Sequence, residues 1–203
     1  MEANNFNYNG YWSKSMSYEQ YRTLIDDLLA EGKATGPEQS EALVHYSELN
    51  VTRMKRIDKT TKVSEELSEV IGNMATKPKA LVITEGWCGD AAQIVPVLQS
   101  VASANHLEVR YVLRDENPEL MDQHLTNGGK SIPIVVFLHP ETLALMGHWG
   151  PRPEPVQKML MDWKKEPEPR SDADELKKNM QLWYARDKQI TMQKEWADLF
   201  KAF

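Results

Sequence analysis

Cysteine is nearly absent. The 203 residues hold one, Cys88, so no disulfide can close within a single chain. That excludes a disulfide-built scaffold and any dithiol cycle between two cysteines of one molecule, and it fits a reducing, cytoplasmic compartment. Long apolar runs are missing as well. No stretch approaches the roughly 18 apolar residues of a membrane span, and Met1 to Lys14 has neither the basic start nor the apolar core of a secretory leader. Basic charge is in deficit: 24 Lys and Arg face 30 Asp and Glu, for a formal net charge of −6. Phosphate backbones and anionic lipid surfaces are repelled overall, so neither nucleic acid nor membrane is expected as a partner. His45, His106, His124, His139 and His148 show no ligand spacing with one another or with Cys88, which excludes a metal reading. Asn127-Gly128-Gly129-Lys130 lacks the spacing of a phosphate loop and has no strand directly before it, so it reads as a flexible loop. No serine stands in a nucleophile elbow, and no cofactor is implied.

What is present divides the chain in three. Residues 1–77 read as a helical extension. Tyr18, Tyr21, Leu24, Ile25 and Leu28 share one face, with Gly32 and Gly36-Pro37 as the stop. A second helix is expected from Glu38 to about Asp58, with Asn50 as a core-edge amide bonded to backbone, and a third from Val63 to Ile71. From 78 to 163 the period changes. Strands are expected at Leu81–Thr84, Leu107–Leu113, Ile134–Leu138 and Leu143–Trp149, with helices following Ala91 and Glu154 and a polar stretch over Arg114–Lys130. Strands alternating with helices imply parallel pairing, and the tight His139–Thr142 connection implies an antiparallel hairpin, so the domain is α/β with a mixed central sheet flanked by helices. Residues 164–203 read as a charged, proline-bearing linker and one long helix. Its end gathers Trp196, Leu199, Phe200 and Phe203, which must pack on the domain, on the N-terminal helices or on another subunit, because each costs roughly 2–3 kcal/mol if left exposed.

The chemistry centres on Trp87-Cys88-Gly89-Asp90-Ala91, directly after the apolar run Leu81-Val82-Ile83. A strand that turns into a helix at this point puts the thiol at a helix N-terminus, where free N–H groups and the positive dipole end favour thiolate. Asp90 opposes this: a carboxylate about 6 Å from sulfur costs the thiolate roughly 0.7–3 kcal/mol, or about 0.5–2 pKa units. Cys88 is therefore expected to be less acidic than an activated nucleophile.

Together with Pro96, Asp115-Glu116-Asn117-Pro118 and Ile132-Pro133-Ile134, this turn resembles the thioredoxin family, over about Pro78 to Trp163. The family turn reads Trp-Cys-Gly-Pro-Cys, a proline kinks the following helix, and a cis proline faces the active cysteine. The resemblance implies a thioredoxin-like fold, with Cys88 at the start of a core helix and Pro133 across from it in a cis peptide. It also implies that the Ile132 backbone is offered to an extended substrate segment. Ala91 stands where the second cysteine belongs, and Val82 where the family has a buried aspartate, so a dithiol cycle is excluded. Around Cys88 the resemblance places Trp87, Gly89, Asp90, Ile132, Pro133, Trp149 and Arg152. Trp87, Trp149 and Ile132 are expected to form an apolar rim, and Arg152 or His148 to be free for an anionic group. Asp115 is expected to order its loop, and Glu85 to lie at the rim or in solvent. Two functions follow: monothiol exchange through Cys88 with a protein or low-molecular-weight thiol partner and an external resolving thiol, or a non-catalytic peptide- or protein-binding module.

Overall fold

A computed structural model describes residues 6–203; Met1–Asn5, the start of the expected extension and of the segment read for a leader, lie outside the described residues. Among the described residues no helix is long and apolar enough to cross a membrane.

Serine caps set where the N-terminal helices begin. After a short helix α1 (Asn9–Lys14) that the sequence does not announce, Ser17 and Gln20 form a capping box that opens α2 (Tyr18–Ala30). Ser40 caps α3 (Glu41–Thr60) and Ser64 caps α4 (Glu65–Asn73). The second helix starts later than its apolar spacing suggests because Gln39 is occupied elsewhere. Its amide bonds both the N–H and the carbonyl of Ala34 and the carbonyl of Gly36, tying down the loop before the helix.

The sheet follows. β1 (Lys79–Thr84) leads through α5 (Ala91–Asn105), which carries Pro96 within it, to β2 (Val109–Leu113). The expected polar stretch contains one helical turn and a half, α6 (Pro118–Asp122), with Pro118 at its start and Leu120 and Met121 buried. β3 (Ile134–Leu138) and β4 (Leu145–Trp149) form the hairpin, and α7 (Glu154–Lys164) follows. Strand order is β2-β1-β3-β4, with β1 parallel to β2 and both other pairs antiparallel. The crossover through α5 is what permits the parallel pair. β1 is central, and Leu81, Val82 and Ile83 are fully buried between the helical layers. Val82 pairs with Tyr111 on one side and Val135 on the other, so the position that the family gives to an acid is here part of an apolar core.

The C-terminal segment differs from the expected single helix. It folds as α8 (Ala173–Asp187) and α9 (Ile190–Phe200), broken where Lys188 and Gln189 both take left-handed backbone, at φ 52° and 70°. Neither residue is glycine, so nothing local marks the break. The Asp187 carboxylate holds the corner by accepting from the Thr191 backbone N–H and hydroxyl. The reversal lays the aromatic stripe on the chain's own domain. Trp196 meets Trp149 edge-on at 5.3 Å between centroids, and Phe200 meets Phe137 at 5.0 Å. Trp196 and Phe200 are buried, each worth about 1.5–3 kcal/mol. Gln193 ties α9 to the N-terminal helices by bonding the Lys62 carbonyl and the Ser64 N–H.

Candidate active site

β1 ends at Thr84, and residues 85–90 turn the chain into α5. Helical bonding begins at Cys88, whose carbonyl accepts from the Ala92 N–H at 3.1 Å. The sulfur sits between two backbone groups. It accepts from the Ala91 N–H at 3.4 Å and donates its own proton to the Ile132 carbonyl at 3.4 Å. The Ile132–Pro133 peptide bond is cis. Gly150, at φ +127°, lies so close that a Cβ there would fall 2.3 Å from the Pro133 carbonyl, which leaves glycine as the residue that fits.

The structure brings together Trp87, Cys88, Gly89, Asp90, Ile132, Pro133 and Arg152. Trp149 is not part of this cluster's surface: its ring lies under α9, with Nε1 donating to Glu195 at 2.8 Å, so the apolar rim lacks it. Trp87 is half-buried beneath the Arg114 guanidinium, 4.8 Å from the ring centroid. His148 is exposed on β4, against His124. Arg152 is not free for an outside anion, because its Nε pairs with Asp90 at 2.6 Å. Asn50 donates to the Gly86 carbonyl at 2.9 Å and accepts from Arg53.

Sequence reasoning missed what covers the cluster. From α8, Tyr184 donates its hydroxyl to Asp90 at 3.0 Å, and Gln181 donates to the Gly89 carbonyl at 3.4 Å. Gln93 on α5 completes the cover by donating to Gln181 at 2.8 Å. Gln181 and Tyr184 stand three apart on one helical face, with Met180 buried beside them, but no local signal relates that face to a turn some 90 residues earlier.

Cys88 itself is only 8 % exposed. Burial pushes its thiol up to about 12; Asp90 adds to the rise, and the Ala91 N–H and Arg152 pull against it. Asp90 acts in the expected direction, but desolvation is the larger cause. At neutral pH the thiol is held protonated, and the sulfur serves as a hydrogen-bond donor. Asp90 has its carboxyl pushed up by burial, opposed mainly by Arg152 and Tyr184.

Glu85 is neither at the rim nor in solvent: it is fully buried. The Thr35–Gly36 loop folds over the end of β1, and Thr35 donates to the Glu85 carboxylate while accepting from the Gly86 N–H at 2.9 Å. The Asp115 N–H supplies a second bond at 3.0 Å, and burial pushes Glu85 up to about 7. Asp115 is itself paired with Arg114 at 2.7 Å, as part of the loop. Among the described residues no group of three or more His, Cys, Asp or Glu is placed to hold a metal ion.

A crystal structure of a protein of unknown function from Pseudomonas aeruginosa is similar in fold, with TM-score 0.55 and 15% identity over 92% of this chain and 98% of that one. A crystal structure of an HIV epitope scaffold is similar with TM-score 0.55 and 15% identity, covering 88% of this chain and 98% of that one. At such identity the likeness concerns the fold alone, and its coverage takes in the helices outside the sheet domain. No curated protein matches the chain. The family model described as thioredoxin matches residues 36–164, which takes in α3 and α4 as well as the sheet. With that match spanning more than half its length, the chain belongs to the thioredoxin family.

Proposed function

We propose that the chain carries out monothiol exchange through Cys88, on a protein or low-molecular-weight thiol partner in a reducing, cytoplasmic compartment. Its organisation is an extension (1–77), a thioredoxin-like domain (78–163) and a C-terminal cover (164–203). The observation that carries this reading is the position of Sγ, 3.4 Å from both the Ala91 N–H nitrogen and the Ile132 carbonyl oxygen. When α8 lifts, water reaches the sulfur, the cost of desolvating the thiolate falls, and the helix N–H group and Arg152 stabilise it. Cys88 gives its proton to solvent and attacks a disulfide R–S–S–R′. A Cys88–S–S–R bond forms, and R′–S⁻ leaves to be protonated. With Ala91 in the resolving position, an external thiolate R″–S⁻ attacks next, forming R–S–S–R″ and returning Cys88. Electrons balance, since one disulfide is exchanged for another. Trp87, Gly89, Asp90, Ile132, Pro133 and Arg152 form the surface that receives the partner in this scheme; Trp149 supports it from below.

The binding-module reading is favoured by one observation, the burial of the sulfur. Incubation with glutathione disulfide followed by intact mass spectrometry separates the two. Exchange predicts one adduct on Cys88, absent in Cys88→Ser, that forms faster in Tyr184→Ala. No adduct even in Tyr184→Ala, with partner binding unchanged in Cys88→Ser, supports the binding module instead.

A further inference from the structure

A second feature lies beside the cover and is independent of the thiol. Between the end of α3 and the α8–α9 corner is a cavity of about 310 Å³, lined by Arg56, Thr60, Lys62, Gln93, Lys188 and Gln189, with Tyr184 at its inner wall. Three cations line it together with neutral polar side chains and the apolar Ile57, Ala185 and Met192, and its lining holds no carboxylate. Some basic residues elsewhere are matched, as Lys79 is to Glu108, Lys130 to Asp122 and Lys201 to Glu66. Among the described residues Arg56, Lys62 and Lys188 have no ion-pair partner. Asp58 is committed to Arg22 and Glu66 to Lys201. Three like charges around one small cavity repel one another.

The backbone adds an independent observation. Lys188 and Gln189 are consecutive non-glycine residues at positive φ, a conformation that costs roughly 1–2 kcal/mol per residue. Such strain collects at ligand clamps and switches, and here it sits at the mouth of the cationic cavity.

We infer that this cavity binds a small multivalent oxyanion, carried as phosphate or carboxylate groups on a low-molecular-weight ligand. Arg56 offers a forked donor set suited to a planar or tetrahedral oxyanion, Lys62 and Lys188 add point charges, and the Gln93 and Gln189 amides supply neutral donors. Because Gln93 and Tyr184 also belong to the cover over Cys88, the ligand would sit against the back of that cover.

Isothermal titration of the full chain with pyrophosphate, and separately with citrate, tests the inference at low and at moderate salt. The expected result is saturable one-to-one binding of at least one probe. It should weaken by about tenfold or more in the triple variant R56Q/K62Q/K188Q, stay unchanged in Cys88→Ser, and persist in a control of equal charge change, K14Q/K164Q/K165Q. Binding of pyrophosphate alone identifies a phosphate ligand, and binding of both identifies oxyanion charge as the determinant. Circular dichroism checks that both triple variants fold. Absence of saturable binding by either probe, or equal weakening in the two triple variants, overturns the inference. The Cys88→Ser arm keeps this outcome separate from the fate of the exchange reading.

Discussion

Tyr184 on α8 donates its hydroxyl to Asp90 at 3.0 Å, across 94 positions of sequence, and thereby fastens the C-terminal helix over the turn that carries Cys88. Asp90 answers to two partners, since Arg152 holds its other oxygen at 2.6 Å. One buried carboxylate thus joins the cysteine turn to both the segment after β4 and α8.

Tyr184→Phe keeps the ring and removes the hydroxyl from a charged acceptor. The expected loss is about 1.5–3 kcal/mol of stability by urea denaturation, together with alkylation of Cys88 faster by about threefold or more. Unchanged stability and unchanged alkylation would show that the hydroxyl does not fasten the cover.

Arg152→Gln leaves the Asp90 carboxylate buried without its cation. Breaking a buried pair in this way costs about 3–5 kcal/mol, whereas the double variant Asp90→Asn/Arg152→Gln should lose markedly less than the two single losses combined. Additive losses in a double-mutant cycle would contradict direct coupling.

Glu85 predicts a pH dependence. Its folded pKa, about 7, lies above the ordinary carboxylate value, so the folded chain holds the proton more tightly than the unfolded chain. The resulting stabilisation is fully present below about pH 4.5 and is lost as pH rises through 7, by up to about 3 kcal/mol. Denaturation of wild type against Glu85→Gln across pH 4–8 should show the wild type losing ground to the variant as pH rises. A difference that stays constant would remove Glu85 as the titrating group.

Gly150→Ala puts a methyl group 2.3 Å from the Pro133 carbonyl at φ +127°. The backbone must shift, at a cost of about 3 kcal/mol or more, and Pro133 moves with it. A variant with wild-type melting temperature would show that this close approach is not obligatory.

Much of the frame was legible in the sequence because its signals are local. Short apolar runs marked the four strands, the shared face of Tyr18, Tyr21, Leu24, Ile25 and Leu28 marked α2, and the Trp87–Ala91 turn with Ile132-Pro133 carried the family likeness. The chemistry of the site was less legible because it is set by contacts between distant segments. Asp90 was visible as a charge beside the thiol, but the larger cause of the raised thiol pKa is burial, which follows from packing between distant segments. Glu85 gave no sign of being buried, since the Thr35 loop that encloses it arrives from 50 residues upstream. Trp149 was placed on the correct strand but was expected at the rim, because its partner Trp196 comes from a helix whose turn at Lys188–Gln189 has no glycine or proline to announce it.

In the turn that α8 fastens, Cys88 is held as a buried, protonated thiol. The pH–rate profile of its alkylation by iodoacetamide in the native chain tests this most directly. The account predicts a rate far below that of an unfolded control and still rising at pH 10, with no plateau near the free-cysteine range of about 8.5. A fast reaction that levels off at or below that value would contradict it.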